Sequence, residues 1–396
     1  MTGRQRSNIV RLAIAQALGG GNSVIVYATG AVVGDGLAPD KALATLPVTL
    51  FVIGMALSTL PAGVMAQRLG RRPVFMLGAL CGVAMGLLAA TAILYSSFSL
   101  FCTAMIFGGV YAAVILSFRF AAAECVPTVR QPWALSIVMA AGLVAGILGP
   151  QTVTYTMHLL SQNLFMATYL AAALMAICSA VVLSGVVLPS LAREVTHAGR
   201  SLGVLLRQPR LLLAMLYGVV TYTLMNFLMT SAPLAMKHQH LPLEASNLAL
   251  QWHVIAMYAP SFFTGRLISR FGANRVVLLG LALTGASAAA GLSGVSPYHF
   301  YASLTLLGMG WNFGFIGASA LVLKCHEPDE RNRVQALNDF VVFGAMVLGS
   351  FASGGMLNHY GWELLCTLAF VPLLITALAL TLDSWSRSRL LDPRQP

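Results

Sequence analysis

Long apolar runs dominate the sequence, each of roughly 20 residues and each separated from the next by a short polar loop. A run of that length is what an α-helix needs to cross the hydrocarbon core of a bilayer. Helices are expected rather than strands, because an open sheet would leave backbone groups without hydrogen bonds in lipid. Charged residues make up only 9% of the chain, against about 25% in soluble domains, so the surface of one large soluble core could not be covered. The sequence therefore predicts an all-α membrane protein.

The apolar runs can be laid out as twelve transmembrane helices in two halves of six. The predicted N-terminal six-helix bundle covers residues 1–188, and the C-terminal six-helix bundle covers 211–396 and ends in a short cytoplasmic tail. The stretch 189–210 carries four arginines and one acid, and it is predicted to be a cytoplasmic basic linker close to anionic headgroups. The spans are expected at 9–33, 41–66, 73–94, 98–120, 133–157, 164–188, 211–236, 247–270, 275–295, 298–324, 334–357 and 362–382.

The positions of lysine and arginine set the orientation of the predicted helices. All but two of the 23 basic residues fall in or beside loops on one side, and the exceptions are Lys41 and Lys237. Cytoplasmic loops of membrane proteins carry an excess of Lys and Arg, so both termini are predicted to be cytoplasmic. The first apolar run lacks a small-residue cleavage site and is interpreted as the first helix.

Two loops at matching places in the halves carry related sequences. The stretch Gly63–Arg72 follows the second predicted span, and Gly265–Arg275 follows the eighth at an offset of 202 residues. The first stretch resembles the loop signature of the major facilitator superfamily, except that Gln67 stands where that signature usually has Asp. The resemblance implies a two-bundle transporter with an inner gate between the halves. The residues expected at this gate are Gly63, Arg68, Gly70, Arg71, Arg72, Gly265, Arg270 and Gly272.

Two pairs of soft donor residues stand four apart in the second half. Met225 and Met229 lie in the seventh predicted span, and His253 and Met257 lie in the eighth. Residues four apart share one helix face, and depth in two antiparallel spans puts Met229 level with His253 and Met225 level with Met257. Thioethers select Cu(I), and neutral ligands favour a monovalent ion in lipid, so the pattern predicts a Cu(I) site. Methionine as a filler of gaps between helices is the alternative interpretation.

The MxxxM and HxxxM pairs, with the stretch 225–275 and Gly310-Trp311-Asn312-Phe313, resemble the CcoA-type copper importers of the major facilitator superfamily. This resemblance implies import of copper by alternating access across a bacterial inner membrane, to supply assembly of haem-copper oxidases of the cbb3 type. The expected partners are the lipid bilayer and the copper ion. Whether copper chaperones bind on the cytoplasmic side stays open, and no nucleic acid is expected. A related branch, the riboflavin-transporter-like proteins, shares much of the sequence.

Two other functions stay open. One is transport of an organic solute such as a flavin, and the other is a copper receptor or membrane chaperone that does not transport. Met236 and His240 are again four apart, with His238 beside them, and are interpreted as an outer capture site for copper or else as part of a polar loop. The aromatic residues that could stack on a flavin are Tyr27, Phe51, Tyr111, Trp252, Tyr258, Trp311 and Phe313.

The sequence also bears on the energy source. No Walker-type GxxxxGK[ST] motif is present, so ATP is not expected, and neither is any cofactor beyond the copper cargo. No carboxylate lies deep in the first span, and Asp339 lies just inside the eleventh, so coupling to protons stays open. Glu124 and Glu330 are loop acids that could pair with the gate arginines. No nucleophile–base constellation stands out, so the sequence does not support an enzyme.

Overall fold

The computed structural model describes residues 2–127, 130–188, 200–327 and 330–390, and every regular element in these ranges is helical. A capping box formed by Thr2 and Gln5 begins the first helix. A single 3-10 turn, Lys41–Leu43, precedes the second. The α-helices in these ranges are α1 (Gly3–Leu37), α2 (Leu46–Leu69), α3 (Arg71–Leu94), α4 (Phe98–Leu116), α5 (Phe118–Glu124), α6 (Gln131–Thr156), α7 (Met166–Ser184), α8 (Leu202–Leu205), α9 (Pro209–His238), α10 (Leu243–Tyr258), α11 (Ser261–Phe271), α12 (Ala273–Leu292), α13 (Pro297–Val322) and α14 (Arg331–Leu390).

Ten helical segments among the described residues are long and apolar enough to cross a membrane, so the predicted count of twelve is not confirmed. Two local features account for the difference. α14 contains most of the last two predicted spans in one apolar segment, Leu337–Leu382, with Gly361 at a φ of 78° as its non-helical residue. The predicted eighth span is divided after Tyr258 into α10 and α11, and each part is shorter than the roughly 20 residues that a crossing needs.

The helices pack in two groups that follow the order of the chain. Helices α1–α7, here called the N-terminal bundle, pack on one another, and α9–α14, here called the C-terminal bundle, do the same. Within the predicted linker, residues 189–199 lie outside the described ranges, and the remainder holds α8 and the start of α9. Gly308 of α13 lies where a Cβ atom would collide with the backbone carbonyl of His253, so a glycine lets α10 approach α13 closely.

The two bundles meet on the outer side, which is defined here as the side on which α1 ends. Lys237, at the end of α9, donates a hydrogen bond to the Asp35 carboxylate near the end of α1 at 2.6 Å. These two positions are 202 residues apart, which is the offset of the repeated loops. Gln151 of α6 donates a hydrogen bond to the side-chain oxygen of Gln251 in α10 at 2.7 Å. An ion pair and a hydrogen bond between two side-chain amides thus join the bundles on the outer side.

Further contacts on the outer side join α2 to α14 and α6 to α10. The hydroxyl of Thr49 donates to the hydroxyl of Ser350 at 3.0 Å, and both residues are buried. His158 and Glu244 approach to 3.7 Å where α6 ends and α10 begins. Three helix pairs therefore close the outer side: α1 with α9, α2 with α14, and α6 with α10.

On the opposite, inner side the bundles diverge. The face of α2 that carries Thr49 against Ser350 continues inward through Leu60 and Gly63 at helical spacing. Leu60 is 52% exposed, and a Cβ atom on Gly63 would have no heavy atom within 4 Å. Phe262, at the start of α11, is 64% exposed. The interface between the bundles is therefore closed on the outer side and open toward the inner side.

Candidate substrate-binding site

Four aromatic side chains of the C-terminal bundle pack around one another. The ring of Tyr222 in α9 lies 5.3 Å from Trp311, 4.9 Å from Phe315 and 6.0 Å from Phe343, each time nearly at right angles. Trp311 and Phe315 are one turn apart on α13 and stack with an interplanar angle of 13° and centroids 5.3 Å apart. Edge-to-face and offset-stacked rings are the arrangements that aromatic quadrupoles favour.

The aromatic group continues across the interface between the bundles. The ring of Tyr258 in α10 lies 6.4 Å from Trp311 and also against Gly142 of α6, where a Cβ atom would be 2.9 Å from it. Tyr222, Tyr258 and Tyr27 of α1 all pack against the same buried apolar core, which contains Phe51 and Trp311. Tyr27 in turn contacts Phe51 of α2 edge-to-face at 5.6 Å. We call the following residues the aromatic cluster: Tyr27, Phe51, Tyr222, Tyr258, Trp311, Phe315 and Phe343.

The aromatic cluster lies directly inward of the outer contacts. Tyr27 is eight residues before Asp35 on α1, which is roughly 12 Å along a helix. Tyr258 is seven residues beyond Gln251 on α10, in the inward direction. The indole N–H of Trp311 is buried and has no hydrogen-bond partner among the residues that the structure describes. A planar, polar cargo that reached this level could stack on the rings and accept that hydrogen bond.

Arg119 of the N-terminal bundle and Asp339 of the C-terminal bundle are ionisable side chains within the membrane-spanning helices. Arg119 follows the break between α4 and α5 and packs over the ring of Phe120 at 4.7 Å. Its guanidinium Nε is buried without a hydrogen-bond partner in the described part of the chain. Asp339 of α14 precedes Phe343 of the aromatic cluster by four residues and therefore lies one turn from it on the same helix face.

Four of the seven aromatic residues singled out from the sequence belong to the cluster, and three lie elsewhere. Tyr111 is buried in the core of the N-terminal bundle. Trp252 is 47% exposed, and Phe313 packs against Phe263 at 6.1 Å. These three positions do not contact the cluster rings, because α4, α10 and α13 each turn them to another side.

Sequence reasoning missed three rings of this site, those of Tyr222, Phe315 and Phe343. One signal was available, since Phe315 stands four residues after Trp311 and so shares its helix face. Arg119 was counted among the basic residues of the inner loops, and the helix break at Ser117 that precedes it leaves no clear mark in the sequence.

The four predicted copper ligands are all buried, and His253 lies against Leu304 of α13. His253 is fully buried, its Nδ1 is 2.7 Å from the carbonyl oxygen of Leu304, and its Nε2 has no hydrogen-bond partner among the described residues. Met225, Met229 and Met257 belong to one apolar cluster, which also contains Leu304. α9 and α10 each pack more extensively against α13 than against one another.

The residues of the predicted outer capture site are not brought onto one helix face. Met236 is buried within α9, whereas His238 and His240 are exposed. α9 ends at His238, and His240 follows with a positive φ of 56°. The spacing of four between Met236 and His240 therefore does not correspond to one turn of helix, and the outer capture site stays a prediction.

The predicted gate residues lie on the inner side, where the bundles are apart. Gly70 and Gly272 both begin a new helix at a φ of 85°, a left-handed conformation that suits glycine. Arg71 forms a two-pronged contact with Glu124, with its Nε 2.7 Å from Oε2, inside the N-terminal bundle. The remaining gate residues, which are exposed, are Gly63, Arg68, Arg72, Gly265 and Arg270.

Glu330, the other acid expected near the gate, contacts the predicted linker. Its carboxylate accepts hydrogen bonds from the backbone N–H and the guanidinium of Arg200, with the guanidinium Nε at 2.6 Å. These bonds, together with one from the backbone of Glu327, lower the pKa of Glu330 to about 2. Glu330 therefore ties the end of the predicted linker to the C-terminal bundle.

The sequence matches the model of the Major Facilitator Superfamily over residues 12–259 and again over 218–395. The riboflavin transporter RfnT of Brucella anthropi is 44% identical over 382 residues, which cover 95% of this chain and 96% of that protein. Two proteins of Bacillus subtilis (strain 168), the uncharacterized MFS-type transporters YdeG and YddS, are 28% and 24% identical. Their matches cover 96% and 89% of this chain and 91% and 85% of those proteins. Similarity to these transporters thus extends along nearly the whole chain.

Proposed function

This chain belongs to the Major Facilitator Superfamily and is a multi-pass membrane transporter rather than an enzyme, and we propose that its cargo is riboflavin or a closely related flavin. The observation that carries the proposal is the aromatic cluster at the interface of the bundles, which offers ring faces and the unpartnered N–H of Trp311. The similarity to a riboflavin transporter over almost the entire length supports the same cargo.

The chemistry of a flavin suits such a site. Its isoalloxazine is a flat, fused ring system with carbonyl and ring-nitrogen acceptors on its edge. An aromatic contact of good geometry contributes about 0.5–1.5 kcal/mol beyond the burial of area. Rings from both bundles, such as Tyr27 and Trp311, could contact opposite faces of one cargo molecule. The buried indole N–H would then gain an acceptor, which it does not have among the described residues.

Transport by alternating access follows from the arrangement of the contacts between the bundles. In the state seen here, Asp35–Lys237, Thr49–Ser350 and Gln151–Gln251 close the outer side. Rocking of one bundle against the other would open these contacts and close the inner side around the predicted gate. We place the protein in a bacterial inner membrane with both termini in the cytoplasm, as the distribution of Lys and Arg favours.

The test is uptake of labelled riboflavin into proteoliposomes that contain the purified protein, with counterflow as a measure of transport in either direction. Trp311→Leu removes a ring of the cluster and is expected to reduce transport at least about tenfold, which equals about 1.4 kcal/mol. Trp252→Leu is the matched control, because this tryptophan is exposed and lies outside the cluster. Absence of riboflavin transport by the wild type, or equal loss in both variants, contradicts the proposal.

Copper transport is retained as a second hypothesis on one observation. His253 is fully buried, and its Nδ1 contact with the Leu304 carbonyl fits an Nδ1–H tautomer, which would leave the Nε2 lone pair free to bind a soft metal. Copper chaperones on the cytoplasmic side would be partners under this hypothesis. A copper receptor or membrane chaperone that does not transport is a separate hypothesis of another class. The relative that carries riboflavin favours the flavin over copper. Normal uptake of radioactive copper by Met229→Leu and His253→Leu would remove the copper hypothesis.

A further inference from the structure

A cavity of about 130 Å³ lies at the inner end of the C-terminal bundle, where α9 and α12 begin and α13 ends. Arg210 of α9, Asn274 of α12 and Lys324, which follows α13, are among the residues that line it. Among its described lining residues there is no ring of the aromatic cluster and no residue expected at the gate. The cavity is therefore distinct from the proposed cargo site.

A second cavity of about 310 Å³ adjoins the first, because Arg210, Lys324 and Cys325 line both of them. Its other walls belong to the segment 200–208 and to the loop that follows α13. Both of these segments lie at the inner ends of membrane-spanning helices. A polar ligand that came from the inner side would therefore reach the first cavity through the second.

The charged side chains that line the first cavity, Arg210 and Lys324, are both cations. Each is exposed, and neither forms an ion pair with a carboxylate of the described residues. Glu330 does not neutralise them, because its carboxylate already binds the guanidinium of Arg200 at 2.6 Å. Glu327 lines the second cavity only. The first cavity is therefore positively charged and suits an anion.

The first cavity combines a cationic mouth with apolar walls. Arg210 is the second residue of α9, and Tyr217 is seven residues further along, roughly 10 Å deeper in the bundle. Between these levels the walls include Leu213 and Leu321. The ends of membrane-spanning helices lie near the lipid headgroups. Basic pockets between such helices on the cytoplasmic side bind anionic headgroups, whose phosphate the fork of a guanidinium matches.

We propose that this cavity binds a phosphate group through Arg210 and Lys324. The group could belong to an anionic phospholipid of the inner leaflet or to a soluble phosphate on the inner side, because the same chemistry recognises both. The guanidinium would donate to the phosphate oxygens, and the ammonium would add a second positive charge. This inference goes beyond the proposed flavin transport and does not depend on it.

Cys325 provides a local measure of occupancy. It is partly exposed and lines both cavities, so a bound ligand should shield its thiol from a reagent. The other cysteines are replaced, and the rate of reaction with neutral methyl methanethiosulfonate is measured on the purified protein in detergent. The ligands are inorganic phosphate, dioctanoyl phosphatidylglycerol and dioctanoylglycerol, which has the same chains without a phosphate. A phosphate-bearing ligand at ten times its Kd should slow the reaction about tenfold.

Variants of the two cations test whether protection depends on the positive charge. Arg210→Gln and Lys324→Gln should each raise the ligand concentration for half-protection at least about fivefold, because each removes one charged donor. Lys324→Arg keeps the charge and should keep protection close to that of the wild type. Arg266→Gln is the matched control, since this exposed arginine of the inner side lines neither cavity.

The ligands also distinguish the source of the phosphate group. Protection by phosphatidylglycerol but not by inorganic phosphate supports a lipid headgroup, and protection by inorganic phosphate supports a soluble ligand. The inference is overturned if neither ligand protects Cys325, if dioctanoylglycerol protects it equally well, or if both glutamine variants are protected like the wild type. Riboflavin transport does not enter this measurement, so its absence would refute the proposed function alone.

Discussion

The ion pair between Asp35 and Lys237 is the contact that we expect to hold the outer side closed. Its charged atoms are 2.6 Å apart, and the side chain of Asp35 is 10% exposed, whereas that of Lys237 is 39% exposed. An exposed ion pair stabilises a protein by about 0–1 kcal/mol, whereas disruption of a buried pair costs about 3–5 kcal/mol. The burial of this pair is intermediate, so its contribution should lie between these values. In Lys237→Gln, the Asp35 carboxylate keeps one nearby cation, Lys41, whose Nζ is 3.6 Å away. The closed state should then lose roughly 1.5 kcal/mol, about a tenfold shift toward the state that is open outside.

The shift can be measured by the reaction of a membrane-impermeant maleimide, added from outside, with a cysteine at position 350. Ser350 is buried against Thr49, so Ser350→Cys should react only when the bundles part. The six native cysteines are replaced first. Lys237→Gln is expected to raise the reaction rate about tenfold. Lys41→Gln, which removes a side chain that is 61% exposed, should change the rate by less than about twofold.

A charge swap provides the decisive control. Asp35→Lys combined with Lys237→Asp restores the attraction in reversed order and should return the labelling rate close to that of the wild type. An unchanged rate in Lys237→Gln, measured on folded protein, would refute the reasoning. So would a swapped variant that reacts as fast as the single one, because the effect would then not depend on the attraction between the two charges.

Two further perturbations test other contacts. Glu330→Gln should speed hydrogen exchange at residues 200–205, because Arg200 donates to this carboxylate. Since the pKa of Glu330 is lowered to about 2, the contact is fully present above the ordinary carboxyl range and should be lost as the pH falls from about 4 toward 2, which a pH series of the same measurement checks. Gly308→Ala should reduce the free energy of unfolding by about 1–3 kcal/mol and so lower the melting temperature, because its Cβ atom would collide with the carbonyl oxygen of His253. Gly344→Ala, with open space around it, should not lower the temperature in the same thermal denaturation.

The class of the protein could be predicted from the sequence, because apolar runs long enough to cross a bilayer have few other uses. The number of membrane-spanning helices could be predicted from the sequence less well than the class of the protein. The last two predicted spans are two helices joined directly by a kink at Gly361, without a loop between them, whereas the predicted eighth span is divided after Tyr258. Mean hydropathy measures how apolar a stretch of sequence is. A kink or helix break at one residue hardly changes that mean, so hydropathy does not show where a helix is interrupted.

The site could be predicted only in part for a related reason. In a helix that is apolar on every side, periodicity does not indicate which face meets the other bundle. Tyr258 and Tyr222 look equivalent to Tyr111 in such a sequence, yet the first two lie at the interface and the third lies in a bundle core. Likewise, a spacing of four puts Met225 and Met229 on one face without indicating which neighbouring helix that face meets.

The offset of 202 residues between Asp35 and Lys237 has a consequence for the history of the chain. Positions that are equivalent in a duplicated structure, and that touch each other, lie on the axis that relates the two copies. Two identical copies would have brought two aspartates or two lysines together there, and like charges repel. This contact can therefore have arisen only after the copies diverged, and a transporter assembled from two copies of either half would lack the attraction that draws its outer ends together.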